Sequence, residues 1–382
     1  MTNPFQYGTE VSGYQFYDRK EPMEELHSLL SDGSSNVVLY APRRYGKTSM
    51  VLRVFERLRL DGFKCVYFNM AKIASLERFA EEYTSLIYTL ASPIQGIGHK
   101  IGEYLAHLHP TFTFGGDGLC SVRFDYGMRM SAQTLSSVLD LPEKIGAEMK
   151  VPLVVGFDEF QEIGELSKEI PLEGVFRSCI QAHRNVRYVF FGSKTHLMRR
   201  MFGSHSRPFY KSALNMKLGK PPIDESFEFV ASRFAGEGLS IAGELVEKIL
   251  ELSENIPYFL QAISALTFQS VIRRRATEVE ISDVLQAVKR FQEANEDLYE
   301  EQLRNLSGAQ RLLTEALAKE PTAQFDESYR LRHGLGVSST VHSSLGKLEL
   351  KGIVESDREG YRIGDPFFAK YIRESKVGLV LG

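Results

Sequence analysis

Apolar residues along this chain of 382 amino acids recur at two different spacings, and the order of these spacings divides the chain into three stretches. In the first stretch, which ends near residue 221, short apolar runs predict buried strands, and amphipathic segments between them predict helices. Strands that alternate with helices are typical of an α/β core built on a parallel sheet. The segment 96–127 is Gly-rich and is predicted to be irregular, with a hairpin or edge strand near its end. The clearest strand-like runs are 37–40, 63–70, 153–157 and 186–194.

The pattern changes after a pair of prolines at positions 221 and 222. Between this pair and residue 304, every apolar segment has helical spacing, which predicts a helical domain. Ser282 with Asp283 is predicted to start the last of its helices. Residues 222–304 carry 16 acidic and 8 basic side chains, a net charge of −8, which makes this part a poor DNA-binding surface.

The last stretch begins near residue 305 and predicts three short helices, followed by a hairpin around a turn at 357–360. Ser307 and Gln310 have the spacing of a capping box at the start of the first helix. Three helices with a two-stranded wing form the winged-helix arrangement, in which the third helix can enter the major groove of DNA. The charge of this stretch is nearly balanced, with 11 basic and 10 acidic residues, so duplex DNA, a protein partner and an autoinhibitory contact all stay open. The predicted polar face of the third helix consists of Ser338, Ser339, Thr340, His342, Ser343, Ser344 and Lys347.

The stretch 37–50 joins an apolar strand, a turn and the start of a helix, and it contains Gly46, Lys47 and Thr48. In a phosphate-binding loop, backbone N–H groups and the helix N-terminus bind phosphate, the lysine reaches the β and γ phosphates, and the threonine binds Mg²⁺. Ala41 stands where the pattern G-x-x-x-x-G-K-[ST] has its first glycine. The alternative to a phosphate-binding loop is a Gly-Lys-Thr sequence at the start of an ordinary helix. The residues predicted to bind the nucleotide are Ala41, Pro42, Arg43, Arg44, Tyr45, Gly46, Lys47, Thr48 and Ser49.

A second motif follows the buried run 153–157, which ends in Asp158 and Glu159. Ligands of open α/β sheets bind outside the carboxyl ends of the strands, so both carboxylates are expected near the phosphate loop. Asp158 is predicted to hold the Mg²⁺ shell, and Glu159 to orient and deprotonate the attacking water. The alternative is a pair that only enters a solvated loop, but a phosphate loop about 110 residues upstream disfavours it.

Polar residues after the next strand are further candidates. Ser193 stands at the end of the run 186–194, where a hydroxyl can sense the γ-phosphate or position water, although serine is also a common turn residue there. Arg199, Arg200 and Arg207 are candidates for an arginine that stabilises transition-state charge, in the same chain or in a neighbouring subunit. Each of these arginines is alternatively a surface residue.

Composition narrows the class of protein. The shares of hydrophobic residues, 43%, and charged residues, 25%, are those of an ordinary globular protein. A net charge of −3 disfavours a protein that coats nucleic acid or an anionic membrane by charge alone. No apolar run approaches the ~20 residues that span a bilayer, and the N-terminus lacks the features of a signal peptide. No membrane partner and a cytoplasmic location are therefore expected.

With these motifs in place, the chain resembles the archaeal-type ATPase family, in the AAA+ and STAND branch of the P-loop NTPases. The resemblance rests on the segments APRRYGKTS, FDEFQEI, FFGSK with SRPFY, ENIPYFLQ and DPFFAKYIRE. It implies an α/β fold in which a P-loop NTPase core with a parallel sheet carries a helical lid and a C-terminal winged-helix domain. The expected boundaries of these three parts are 1–221, 222–304 and 305–382.

The resemblance also extends to the adenine side of the site. In this family, a Gly-x-Pro motif of the lid approaches the adenine; here Pro257 keeps the proline, but Asn255 replaces the glycine. Tyr17, Asp18 and Arg19 resemble the family's adenine-side entry, with Asp18 in place of the usual glycine.

The expected activity is slow, Mg²⁺-dependent hydrolysis of ATP, with ATP or ADP and Mg²⁺ as cofactors and with Glu159 and Lys47 as catalytic residues. In one interpretation, nucleotide state is coupled to the binding of duplex DNA by the winged helix. The alternative is a nucleotide-dependent signalling switch whose winged helix docks on the lid or on a protein partner, with self-association as a further form of regulation. A third interpretation is a nucleotide-binding scaffold that never turns over.

Overall fold

The computed structural model describes residues 2–8, 19–33, 35–91, 97–115, 120–124, 130–166, 170–321, 324–356 and 360–375. Contacts divide the chain into two units. The first, which we call the sheet unit, comprises Arg19–Ala41 and Lys47–Leu218. The second, which we call the helical unit, comprises Met1–Asp18, Pro42–Gly46 and Gly219–Gly382. The division at 1–221, 222–304 and 305–382 stays a prediction.

The sheet unit is built on a five-stranded parallel sheet, as the alternation of strands and helices predicts. In chain order, its strands and those of a separate hairpin are β1 (Val37–Tyr40), β2 (Lys64–Asn69), β3 (Thr111–Phe114), β4 (Cys120–Arg123), β5 (Leu153–Asp158), β6 (Val186–Gly192) and β7 (Leu214–Lys217). The order in the large sheet is β2-β5-β6-β1-β7. Val37 of β1 pairs with Val189 on one side and with Leu214 on the other. The edge strand β7 was not predicted from the sequence.

The carboxyl ends of the parallel strands bring the candidate residues to one edge of the sheet. Asn69, the last residue of β2, lies in register with Asp158, the last residue of β5. All six residues of β5 are buried, as expected for a strand covered on both faces. The aromatic ring of Phe157 packs nearly parallel to those of Tyr188 and Phe190 on β6, with centroids 6.2 and 6.0 Å away. This packing fixes the strand that presents Asp158.

Helices precede β1 and connect the strands of the sheet unit along the chain. They are α1 (Lys20–Ser31), α2 (Lys47–Leu60), α3 (Leu76–Ala91), α4 (Ile97–Tyr104), α5 (Ala132–Leu139), α6 (Leu141–Met149), α7 (Leu172–Ala182) and α8 (Thr195–Gly203). The antiparallel hairpin of β3 and β4 agrees with the hairpin or edge strand predicted in 96–127, but the expectation that the rest of this segment is irregular was wrong, because the segment also contains α4. The hairpin is anchored by side chains of α3: the N–H of Val122 donates a hydrogen bond to the Ser85 hydroxyl, 2.9 Å away. Such a contact leaves no periodic signal in the sequence.

The helical unit begins with four helices, as predicted. They are α9 (Ile223–Gly236), α10 (Gly243–Leu252), α11 (Pro257–Arg274) and α12 (Ile281–Arg304). Twelve of the 18 residues of α11 are buried, so this helix forms the core of the group. The start predicted at Ser282 was wrong: α12 begins at Ile281, and Glu280 forms a capping box with Asp283. The Asp283 carboxylate also pairs with Arg274, which explains its place inside the first turn.

The described residues from 308 to 375 in the helical unit form a winged helix, as predicted. Its elements are α13 (Gly308–Lys319), α14 (Glu327–Arg332), α15 (Ser338–Leu350), β8 (Val354–Ser356), β9 (Tyr361–Ile363) and α16 (Pro366–Ser375). The predicted capping box of Ser307 and Gln310 is confirmed. The turn between β8 and β9 lies largely outside the described residues. Ser344 is buried, so it does not belong to the exposed polar face of α15 as predicted.

Candidate functional site

The helix that carries the candidate lysine begins at that residue. Lys47 and Thr48 form the first turn of α2, directly after Gly46 in the chain. The Lys47 side chain is 7% exposed, and its Nζ lies 3.7 Å from Oε1 of Glu159. Thr48 donates a hydrogen bond from Oγ1 to Oδ2 of Asp158 over 2.8 Å. The two sequence motifs therefore meet within the sheet unit.

Asp158 is a buried carboxylate with several donors around it. Besides Thr48, the Tyr67 hydroxyl donates to its Oδ2 at 2.9 Å, and the Glu159 backbone N–H donates to its Oδ1 at 2.8 Å. Burial raises the pKa of Asp158, while Lys47 and Thr48 oppose this rise. A hydroxyl and a carboxylate in contact are oxygen donors of the kind that Mg²⁺ prefers when phosphates and waters complete its shell. Thr48 and Asp158 therefore fit the metal site predicted for them.

Glu159 follows β5 in a left-handed conformation, with φ of +50°. Its Oε2 accepts hydrogen bonds from the Ser193 hydroxyl at 2.8 Å, the Ser193 backbone N–H at 3.2 Å and the Gln161 amide at 2.5 Å. Burial opposes ionisation, but the Lys47 ammonium and the hydrogen bonds from Gln161 and Ser193 outweigh it and lower the pKa of Glu159. The carboxylate is therefore held ionised in a fixed position.

Gln161 and Tyr67 were not identified from the sequence as site residues. Gln161 is 5% exposed and packs against Gly192, where an added Cβ would lie 1.9 Å from the Gln161 Oε1. Glycine at the end of β6 thus makes room for the side chain that contacts Glu159. The one available signal was the position of Gln161 two residues after Glu159, where it is the second residue of the short 3₁₀ helix Phe160–Glu165.

The other candidates have identifiable surroundings. Ser193 contacts Glu159, as described, whereas Arg207 pairs with Glu173. The Arg199 guanidinium lies 5.4 Å from the ring centroid of Tyr40, at the end of β1. Arg200 is exposed at the end of α8. Pro257 is the first residue of α11, a position that suits its fixed φ.

The loop residues Pro42–Gly46 belong to the helical unit, and two of their side chains are anchored there. Arg44 has a φ of +74°, and Gly46 a φ of +77°. The Arg44 Nη1 lies 2.7 Å from Oδ2 of Asp365. The Arg44 guanidinium also lies over two aromatic rings of α11, 5.3 Å from the centroid of Tyr258 and 4.9 Å from that of Phe259.

Tyr45 is buried, with 3% of its surface exposed. Its hydroxyl donates to Oε2 of Glu355 over 3.3 Å and accepts from Nη2 of Arg362 over 2.9 Å. Burial raises the pKa of Glu355 to about 7, despite the opposing charge of Arg362. Of the remaining loop positions, Ala41 is fully buried, Pro42 is half-buried and Arg43 is exposed. Tyr17 and Asp18 lie outside the described residues, and Arg19 is buried.

Two segments of the chain match known protein families. Residues 16–218, more than half of the chain, match the family described as an ATPase domain predominantly from Archaea. The chain belongs to this ATPase family. Residues 297–374 match a second family, described as a probable winged helix domain. Membership of the ATPase family supports binding and hydrolysis of nucleotide, and the five-stranded parallel sheet agrees with the P-loop NTPase fold.

Solved structures share the fold of this ATPase over nearly its whole length. The Walker-type ATPase of Pyrococcus abyssi is 20% identical with a TM-score of 0.66, covering 97% of this chain and 99% of that chain. The ORC2 protein of Aeropyrum pernix, in ADPNP-ADP complexes, is 13% identical with a TM-score of 0.55, covering 94% and 95%. The ORC1 protein of the same organism, in complex with DNA, is 14% identical with a TM-score of 0.50, covering 98% and 96%. No curated protein sequence matches the chain.

Two features of the described residues bear on the expected partners. None of the helices formed by these residues is long and apolar enough to cross a membrane. The same residues contain no group of three or more His, Cys, Asp and Glu side chains placed to hold a metal ion.

Proposed function

We propose that this member of the ATPase family hydrolyses ATP slowly in a Mg²⁺-dependent reaction and uses its nucleotide state to control a ligand of the winged helix. The observation that carries the proposal is the cluster of Lys47, Thr48, Asp158 and Glu159 in the sheet unit. Thr48 contacts Asp158 at 2.8 Å, and Lys47 lies 3.7 Å from Glu159. Lysine supplies a cation that binds phosphate, threonine and aspartate supply oxygen ligands for a metal, and glutamate supplies a base.

Each residue has a distinct task in the proposed reaction. Lys47 binds the β and γ phosphates, while Thr48 and Asp158 hold Mg²⁺, which supplies positive charge against the developing negative charge of the phosphates. Glu159 orients the attacking water and accepts its proton. Phosphate binding is assigned to the loop Ala41–Gly46 and Ser49, and contact with the adenine to Pro257.

The surroundings of Glu159 support the proposal of slow turnover. Three hydrogen bonds and the Lys47 charge lower its pKa, and a carboxylate with a lowered pKa is a weaker proton acceptor. Ser193 holds Glu159 in the absence of nucleotide and donates to the γ-phosphate when ATP is bound. Arg199 is the preferred candidate for a charge-stabilising arginine, in its own chain or in a neighbouring subunit. Arg207 is a weaker candidate because it already pairs with Glu173.

Duplex DNA is the proposed ligand of the winged helix. The exposed face of α15 carries hydroxyls, one imidazole and one ammonium, all of which can contact phosphates or base edges. The ORC1 protein that shares the fold was solved in complex with DNA, which supports this choice. The residues proposed to face the DNA are Ser338, Ser339, Thr340, His342, Ser343 and Lys347.

A protein partner is the second candidate, and a different observation favours it. Leu331 at the end of α14 is 75% exposed, and Val337 just before α15 is 64% exposed. Two exposed aliphatic side chains next to the polar face of α15 suit a protein surface better than DNA. With such a partner, or with a second copy of the chain, the protein would act as a nucleotide-dependent switch.

The test of this function measures phosphate release from Mg²⁺-ATP with and without duplex DNA, using Lys47→Ala as the blank. We expect release by the wild type to exceed the blank by roughly 100-fold or more, because the lysine charge stabilises the transition state. Replacement of Mg²⁺ by EDTA should abolish release. Wild-type release no higher than the blank would contradict the proposal.

DNA binding is tested separately by fluorescence anisotropy at two salt concentrations. We expect affinity to fall as salt rises from 50 to 200 mM, in the manner of phosphate contacts. Ser339→Glu with Ser343→Glu should weaken binding, whereas Ser282→Glu on α12 should leave it unchanged. Absence of binding at low salt would favour the protein partner. In that case, Leu331→Ser with Val337→Ser becomes the informative variant.

A further inference from the structure

The phosphate loop of this chain is held by the winged helix through side-chain contacts that its backbone motif does not require. We propose that Asp365, with Glu355 and Arg362, positions the phosphate loop, so that nucleotide affinity depends on the docked state of the winged helix. The inference rests on the proposed function, because the loop is taken to bind a nucleotide. Asp365, Glu355 and Arg362 are positioning residues rather than catalytic ones.

The first anchor is a socket for Arg44. The guanidinium lies over the rings of Tyr258 and Phe259, 5.3 and 4.9 Å from their centroids, and ends 2.7 Å from the Asp365 carboxylate. The backbone takes part as well, because the Tyr258 N–H donates to the Arg44 carbonyl over 3.2 Å. Arginine stacked on aromatic rings and paired with a carboxylate loses much of its freedom.

The socket is rigid on the side of Asp365. Its Oδ1 accepts the backbone N–H groups of Phe367 and Phe368 at 2.9 and 3.0 Å, which caps the N-terminus of α16. Its Oδ2 accepts from Arg44 and, at 3.5 Å, from the Tyr299 hydroxyl. The two oxygens therefore have separate tasks: one fixes the carboxylate to its own helix, and the other receives the loop.

The second anchor holds Tyr45. Its hydroxyl lies between Glu355 on β8 and Arg362 on β9, at 3.3 and 2.9 Å. Arg362 reaches a further carboxylate, since its Nη1 lies 3.9 Å from Glu254. Both strands of the wing thus contact the loop residue that directly precedes Gly46.

The backbone conformation shows why these anchors matter for the loop. Arg44 has a φ of +74°, which is unfavourable for residues other than glycine. Such a conformation persists where surrounding contacts hold it. The amides of this same turn are the groups that a phosphate loop directs at its ligand. Release of Arg44 and Tyr45 would let these amides leave their binding conformation. We therefore expect the anchors to affect nucleotide affinity more than turnover at saturation.

The coupling works in both directions. If undocking of the winged helix weakens nucleotide binding by some factor, bound nucleotide must oppose undocking by the same factor. A ligand that needs Glu355 or Asp365 released would therefore promote loss of nucleotide.

The variant that isolates the first anchor is Asp365→Asn. Its carbonyl oxygen can still cap α16, but its amide cannot accept from Arg44. We expect the Kd of a fluorescent ADP analogue to rise roughly tenfold, as for loss of a hydrogen bond to a charged group. Turnover at saturating ATP should change less than twofold, and amide hydrogens of residues 44–46 should exchange faster without nucleotide. Arg332→Gln is the matched control, because Arg332 pairs with Glu320 in the same winged helix.

Further variants keep the test decisive if Asp365→Asn folds poorly. Arg44→Gln should reproduce both effects, and the double variant should be no worse than either single one, because both remove the same contact. Tyr45→Phe should accelerate amide exchange in the loop by itself. Folded variants with unchanged Kd and unchanged exchange would overturn the inference. Failure of the wild type to bind the ADP analogue would instead overturn the proposed function, while the exchange measurement would still decide whether the anchors hold the loop.

Discussion

Glu355 offers a quantitative test of the burial of the second anchor. Burial raises its pKa from the ordinary value of 4.5 to about 7, and the groups that face it are Tyr45, Arg362, Lys220 and Glu254. A carboxyl whose pKa is raised on folding contributes its full stability below pH 4.5, where both states are protonated. As pH rises towards 7 the unfolded chain ionises first, so stability is lost, and above pH 7 the loss is complete.

The size of this loss follows from the shift. At 1.36 kcal/mol for each pH unit, a shift from 4.5 to about 7 corresponds to about 3 kcal/mol. Glu355→Gln is neutral at every pH and does not suffer this loss. We therefore expect the stability of the variant, relative to the wild type, to increase by about 3 kcal/mol between pH 4.5 and pH 7.5. Other titrating groups are common to both proteins and cancel in the comparison.

Thermal unfolding followed by circular dichroism at a series of pH values measures this difference. For a chain of this size, with an unfolding entropy of about 2.1 cal/mol/K per residue, about 3 kcal/mol corresponds to a relative shift in Tm of roughly 4 °C across the pH range. Glu327→Gln, at an exposed carboxylate of α14, serves as the control for the loss of one carboxylate. A constant difference between Glu355→Gln and the wild type at all pH values would refute the assignment of a buried, raised carboxyl.

Three further predictions concern the site and the helices. Gln161→Ala removes a hydrogen-bond donor to the Glu159 carboxylate and should raise the pKa of Glu159. The acidic limb of the pH profile of hydrolysis should therefore move to higher pH. An acidic limb that does not move would contradict this role of Gln161. Gly192→Ala places a Cβ 1.9 Å from the Gln161 Oε1, so phosphate release should fall sharply. Gly203→Ala is the control and should have little effect, because no atom lies within 4 Å of the added Cβ. Equal activity of both variants would contradict the packing of Gln161 against Gly192. Ser307→Ala removes half of the capping box of α13 and should cost about 1 kcal/mol of stability in denaturant unfolding, whereas no change would show that the cap is dispensable.

Local motifs explain why much of the candidate site could be predicted from the sequence. Lys47 and Thr48 lie within one turn of helix, and Asp158 and Glu159 end a buried strand, so each pair is visible in a short segment. Their proximity followed from a general property of parallel sheets. The winged helix was predicted in the same manner, from the spacing of apolar residues and the capping box at Ser307.

The contacts that hold these residues in place could not be predicted, because they join segments distant in sequence. Arg44 and Asp365 are separated by 321 positions, and Tyr45 and Glu355 by 310. The strand β7 is short and mostly exposed, so its apolar pattern is weak. Ser344 was assigned to the polar face of α15 by residue type, but its position on the helix is buried. Ser282 was preferred as a cap because serine is common there, whereas Glu280 performs that function.

The most direct test of the proposed ATPase compares Glu159→Gln with the wild type in two measurements on the same preparations. ATP binding in Mg²⁺ should be retained, because the amide keeps the size of the carboxylate and Lys47 and Thr48 are unchanged. Phosphate release should fall by roughly 100-fold or more, because an amide cannot accept the proton of the attacking water. The variant would then accumulate bound ATP. Equal phosphate release by the variant and the wild type would contradict the central claim that Glu159 acts as the base.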